Sequence, residues 1–192
     1  MKGKKIGILI GVSAVVVAVG ASVTVTQQNE YKLIRQFSKV DRVISSSGIS
    51  FKIPFIESTQ SLPKETLLYD LAASDVITKD KKTMISDSYV LWKISDPLKF
   101  AQTLNSSVES GESRINNATK NVISSLSQDQ VITSRDGELS DMVMEAIGTN
   151  MDQYGIELLK FETKQLDLPD DNKEAVYERM ISERDNIAAT YK

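Results

Sequence analysis

The stretch from Ile6 to Val25, IGILIGVSAVVVAVGASVTV, holds no charged residue. As a helix rising about 1.5 Å per residue it would reach roughly 30 Å, the thickness of a bilayer's hydrocarbon core. Lys2, Lys4 and Lys5 precede it, and Gln27, Gln28, Asn29 and Glu30 follow it. This asymmetry predicts a single-pass anchor over 6–25, with residues 1–5 as a basic cytoplasmic tail and the rest of the chain extracytoplasmic. A cleaved signal peptide shares the basic start, and the small residues at Val19-Gly20-Ala21 suit a cut. The apolar run is nevertheless longer than the roughly 7–15 residues of a signal core, which favours the anchor. Gly7, Gly11, Ser13 and Gly20 would let another membrane helix approach closely.

The composition beyond this segment restricts the chemistry. Among 192 residues there is no histidine and no cysteine. The usual general base near neutral pH, the common Ser-His and Cys-His pairs and thiolate zinc sites are therefore excluded. Neither GxGxxG nor a Walker-type loop occurs, and the carboxylates show no spacing that suggests a metal cage or an acid–base pair. Catalysis would have to rest on serine–lysine or carboxylate chemistry, and nothing marks a nucleophile. The expectation is a protein that is not an enzyme and holds no cofactor or metal. The net charge is −3, and more negative once the three leading lysines are set aside. A mildly acidic domain is a poor match for a phosphate backbone, so nucleic acid is not expected as a partner.

The pattern after the anchor mixes strands and helices. Residues 30–71 read mostly as strands, with a turn at Ser45–Gly48 and a short apolar strand at Phe51–Ile56 that Pro54 confines to an edge or an end. Thr83–Ile94 predicts a long central strand, because Val90, Trp92 and Ile94 share one face while Ile85, Tyr89 and Leu91 share the other. Asp96-Pro97 is a helix start. A second helix is expected over 112–126. A third, starting near Thr133 or Ser134, carries the stripe Leu139, Met142, Val143, Ala146, Ile147, Met151 and Tyr154 and stops at Gly155. Residues 156–168 return to strand. Pro169, Asp170 and Asp171 open a last helix, the acids favouring the positive end of its dipole. Tyr177, Met180, Arg184, Ile187 and Tyr191 then recur at heptad spacing.

This order of segments resembles the SPFH or Band 7 family of stomatins, prohibitins, flotillins and the HflK and HflC proteins. The resemblance runs through Glu30–Phe37, Gly48, Phe51–Phe55, Ile77–Lys82, Trp92–Phe100, Tyr154–Glu157, Leu168–Asn172, Ala175–Met180 and Ser182–Arg184. The strand-to-helix junction at Trp92–Phe100 and the approach to the last helix at Leu168–Met180 are most similar to the HflC branch. Ser38 stands where glycine is common, and Ser45-Ser46-Ser47 replaces a more usual proline-containing approach to Gly48. The resemblance implies an α+β fold: an N-terminal transmembrane helix, an SPFH domain over 30–168, and the start of a long coiled-coil helix over 170–192. It also implies a non-enzymatic membrane scaffold that oligomerises, with copies of itself or with an HflK-like paralogue, and restrains an FtsH-type AAA protease. A stomatin- or flotillin-like organiser of lipid domains, with no protease partner, is the alternative.

Two residue sets are the candidate surfaces. Phe51, Ile53, Phe55 and Ile56 would meet membrane lipid if exposed, whereas an apolar strand of this kind is more commonly core. Tyr177, Met180, Arg184, Ile187 and Tyr191 would form an oligomerisation seam. Asp80-Lys81-Lys82 reads as a solvated turn.

Overall fold

The computed structural model describes residues 11, 13, 16–134, 137–167, 178, 181, 182 and 184. A helical stretch reaches Ser22. It is followed by β1 (Val23–Thr26), β2 (Glu30–Gln36), β3 (Lys39–Ile44), β4 (Gly48–Phe51), β5 (Glu57–Pro63), β6 (Leu67–Ile77) and β7 (Thr83–Ile94). Then come α1 (Pro97–Leu104), α2 (Val108–Ser125), α3 (Gln128–Thr133), α4 (Glu138–Met151), a 3-10 turn at Asp152–Tyr154 and β8 (Ile156–Asp167). The α+β class is as the sequence predicts.

The chain forms two compact units that interleave along the sequence. The first unit takes residues 1–67, 93–111 and 151–157, and the second takes 68–92, 112–150 and 158–192. Long strands cause this, because β7 and β8 each leave their ends near Lys93 and Glu157 in the first unit.

In the first unit, β2 is the middle strand of the antiparallel sheet β3-β2-β5. Its Leu33 and Ile34 are both fully buried although they are adjacent. Helix α1 packs on β3 and on the 3-10 turn. Asp96 starts the helix as expected: its Oδ1 accepts from Leu98 N and Lys99 N, each at 3.0 Å, and Pro97 needs no such partner. Phe100, Ala101 and Leu104 are its buried side. Gly155 ends the helical region at φ +70°. Its carbonyl accepts from Ser95 N (2.9 Å) and Asp96 N (3.2 Å). A Cβ there would lie 2.2 Å from Asp96 O, so both the turn and the close approach require glycine.

In the second unit, the sheet order is β6-β7-β8. The central position of β7 matches the expectation, and Met84, Val90 and Trp92 are buried on one face while Ile85, Tyr89 and Leu91 are half-buried on the other. Burying a side chain of this size contributes about 1.5–3 kcal/mol. Helix α2 begins four residues before the expected start, where Ser107 Oγ accepts from Ser110 N at 3.1 Å. Helix α3 was not expected. Ser127 and Gln130 form a reciprocal capping box at its start, with Gln130 N donating to Ser127 Oγ and Ser127 N to Gln130 Oε1. The Asp80 turn is built in rather than merely solvated. Asp80 Oδ1 accepts from Thr78 Oγ1 (2.6 Å) and Gln128 N (3.1 Å), and Lys79 N donates to Leu126 O (2.9 Å). The Thr78 hydroxyl and the Gln128 amide hold the Asp80 carboxyl down at about 2.

Two local expectations are corrected. Val23–Val25, read as the end of the anchor, belong to β1, because each pairs with a residue of β4. Of the expected strand Phe51–Ile56 only Phe51 is in a strand, and Pro54–Ile56 form a turn.

Candidate membrane-contact surface

The antiparallel ribbon of β1 and β4 sets Val23 opposite Phe51 and Val25 opposite Ile49. Alternation along a strand places these four side chains on one face, and all four are exposed. Thr24, Ser50 and Thr26 fall on the other face and are half-buried or buried. The usual pattern is thereby inverted: the apolar face looks outward and the polar face inward. Val16, Val17 and Val19 of the preceding helical stretch are exposed as well.

The loop that follows extends this face. Lys52 N donates to Ser22 O (2.7 Å), which ties the loop to the end of the helical stretch. Glu57 and Arg42 then shape it. Ile53 N donates to the buried Glu57 Oε2 (2.8 Å), and Glu57 N donates to Ile53 O (2.9 Å). Arg42 Nη2 donates to Phe51 O (2.6 Å) and pairs with Glu57 Oε2 (3.3 Å). Inside this closed loop Phe55 adopts φ +68° and projects outward, 92 % exposed. A left-handed backbone costs a non-glycine residue about 1–2 kcal/mol. Ile53 and Ile56 are exposed too.

An open groove of about 620 Å³ lies beside the ribbon, with Val19, Phe51, Ile53 and Pro54 as its apolar walls and Arg42 and Lys52 as its cations. Aromatic and aliphatic side chains beside basic ones suit a bilayer interface, where the rings sit at headgroup depth and the cations meet phosphates.

The structure therefore brings Phe51, Ile53, Phe55 and Ile56 together on the surface and not in a core. The sequence reading missed Val23, Val25 and Ile49 as parts of the same face. Their signal was the alternation Val23-x-Val25 and Ile49-x-Phe51, hidden because Val23 and Val25 were counted as anchor. It also missed Arg42 and Glu57, whose role depends on pairing across the unit. Arg184 is helical and exposed, whereas Tyr177, Met180, Ile187 and Tyr191 lie outside the described residues. Among the described residues no group of acidic side chains could hold a metal ion. None of the helices formed by described residues is long and apolar enough to cross a membrane.

Comparison with known proteins places this arrangement. A curated relative, Protein HflC of Haemophilus influenzae, is 29 % identical over 190 residues, covering 90 % of this chain and 63 % of that protein. The Modulator of FtsH protease HflC of Escherichia coli K12 is 26 % identical over 228 residues, covering 93 % of this chain and 68 % of the relative. An uncharacterized protein of Methanothermobacter thermautotrophicus is 25 % identical over 181 residues, covering 94 % of this chain and 56 % of its own length. The chain thus spans less than two thirds of the Haemophilus relative. The family model described as "SPFH domain / Band 7 family" matches residues 24–192, from β1 onward through both units, and the chain belongs to that family.

Proposed function

We propose that this chain is a non-enzymatic membrane scaffold that oligomerises and regulates an FtsH-type AAA protease. The observation that carries the reading is the outward apolar face of Val23, Val25, Ile49 and Phe51, continued by Ile53, Phe55 and Ile56. It follows directly on the uncharged segment that begins at Ile6. In this reading residues 6–22 supply the anchor, Met1 faces the cytoplasm, and the ribbon and loop rest in the outer headgroup layer. The Escherichia coli relative is named as a modulator of the FtsH protease, which supports the same role here.

The mechanism is assembly. Copies of the chain, or this chain with an HflK-like paralogue, pack side by side, guided by the helix that carries Tyr177, Met180, Arg184, Ile187 and Tyr191. The resulting wall limits which substrates reach the protease it encloses. The absence of histidine from the sequence is consistent with work done by surfaces.

The test is a pull-down of the tagged natural full-length protein from membranes in mild detergent, with native sizing. A very large particle that contains an FtsH-type protease and an HflK-like partner is expected. A large particle with lipid but no protease would replace the reading with a lipid-domain organiser. A small soluble species would overturn both the anchor and the assembly.

A further inference from the structure

The first unit holds a second recess, which shares no lining residue with the apolar groove. It measures about 280 Å³ and is lined by Arg35, Ser38 and Lys39 around the β2–β3 turn and by Gln102 and Asn105 of the α1 end. No acidic residue is among its lining. Lys32, Arg42, Lys93 and Lys99 of the same unit each face a carboxylate. Arg35 and Lys39 form no such ion pair among the described residues.

Arg35 is held in place with donors to spare. Its Nη2 donates to the buried Ser106 Oγ (2.7 Å), and Gln60 Nε2 fixes the same residue by donating to Ser106 O (3.2 Å). The Arg35 Nε is buried and has no hydrogen-bond partner. A buried donor of this kind in a folded protein asks for a ligand or water. The backbone is shaped around it. The β2–β3 register slips from Ile34↔Arg42 to Arg35↔Val40, leaving Asp41 as an extra residue opposite Arg35. Such bulges re-aim side chains. Each wall also contains a non-glycine residue in the left-handed region, Ser38 (φ +67°) on one side and Asn105 (+52°) on the other, and each is adjacent in sequence to a second, Phe37 (+49°) and Ser106 (+58°). Strain gathered at the walls of one recess points to use of that recess. The carbonyl end of α1 opposes an anion with a partial charge of about half a unit, which the two unpaired cations exceed.

We propose that this recess binds a phosphate-type oxyanion, with the Arg35 fork on one edge and the Lys39 ammonium on another. The planar guanidinium suits two oxygens of one phosphate, and Ser38, Gln102 and Asn105 offer further donors. The phosphate could be free or belong to a lipid headgroup.

The experiment uses the full chain in non-ionic detergent and titrates inorganic phosphate at fixed ionic strength. Saturable single-site binding is expected, weakened at least tenfold in Lys39→Glu and in Arg35→Gln. Lys64→Glu, an equal charge change elsewhere in the unit, should bind as wild type. Lys39 is exposed, so its variant keeps the fold and circular dichroism verifies this. Vesicles of phosphatidylcholine with and without phosphatidic acid identify the source. If Lys39→Glu lowers binding to phosphatidic acid vesicles and free phosphate competes with them, the headgroup is a ligand of the recess. If the variant loses only inorganic phosphate, the free ion is the ligand. Binding that does not saturate, or that Lys39→Glu and Lys64→Glu weaken equally, overturns the proposal.

Discussion

The two units manage their apolar residues differently. The first keeps Leu33, Ile34 and Phe100 inside but displays Val25, Ile49, Phe51 and Phe55. The second hides Trp92, Ile115, Ile123, Leu139 and Ile147 and covers its sheet with charge. There Lys164 bridges Asp70 (2.6 Å) and Asp87 (2.7 Å), Lys160 pairs with Glu162 (2.6 Å), and the Tyr89 hydroxyl donates to Glu162. Surface pairs of this sort add little stability, but they keep a sheet face soluble and mark a surface designed for water. The contrast teaches that exposure of apolar side chains here is local and organised. In the first unit it is concentrated in a ribbon and a loop that Arg42 and Glu57 hold in shape, and it accompanies a buried core that includes Leu33, Ile34 and Phe100.

The largest test of the contrast is at glycine. Gly155→Ala in the first unit drives a methyl group into Asp96 O and should lower unfolding free energy by about 3 kcal/mol or more. Gly148→Ala in α4 of the second unit meets nothing within 4 Å and should raise it by up to about 1 kcal/mol. Urea denaturation of both variants checks the pair. Equal effects would show that the close approach at Gly155 carries no weight.

Next in size is lipid binding. Replacing Phe51 and Phe55 together by serine should weaken partition into phosphatidylcholine vesicles by at least about tenfold while leaving the thermal midpoint nearly unchanged. Replacing the exposed Leu68 of the second unit by serine should not alter partition. A double variant that floats with vesicles as well as the parent would remove the ribbon from the contact surface.

Acid is where the units behave alike. In the first, Glu30 accepts from Gln27 N and is paired with Lys32, which holds its carboxyl down from 4.5 to about 2. In the second, Asp80 is held down from 3.8 to about 2. Both carboxyls are depressed in the folded state, so each adds stability above its unfolded pKa and loses it as pH falls toward about 2. Asp80→Asn should cost about 1 kcal/mol at pH 7 and flatten the stability profile between pH 4 and 2. Glu30→Gln should flatten the limb that remains. Thermal unfolding at pH 7, 4 and 2.5 measures both, and an unchanged acid slope would count against the two hydrogen-bonded carboxyls.

The smallest expected effect is a gain. Ser38→Gly relieves a left-handed serine and should stabilise the protein by about 1 kcal/mol. It should also weaken phosphate binding, since it removes a hydroxyl from the recess. A glycine variant that is less stable would mean that the β2–β3 turn gains more from the serine hydroxyl than it loses to strain.

Elements with local causes were legible in the sequence. Asp96-Pro97 starts α1 with its own side chain, Gly155 ends a helical region with its own φ, and the apolar residues on both faces of β7 mark a central strand. The capping box of α3 was equally local, written as Ser127-x-x-Gln130, but it stands before too short an apolar pattern to draw notice. The loop at Pro54–Ile56 was different. Its residues are apolar enough for a strand, and bonds to Ser22, to Glu57 and to Arg42 of β3 fold it into a turn instead. The oxyanion recess was illegible for the same reason, since Arg35 and Asn105 meet only after the intervening sixty-nine residues have folded back.

The interleaving of the units has a consequence for synthesis. The first unit closes only when Gly155 accepts from Ser95 and Asp96, so nearly all of the described chain must leave the ribosome before that unit is complete. Contacts this distant in sequence form slowly. The outward apolar ribbon, by contrast, needs nothing beyond Phe51. For much of translation a nascent chain therefore carries a finished sticky edge and an unfinished core, and a nearby bilayer would shield that edge from other chains in the interval.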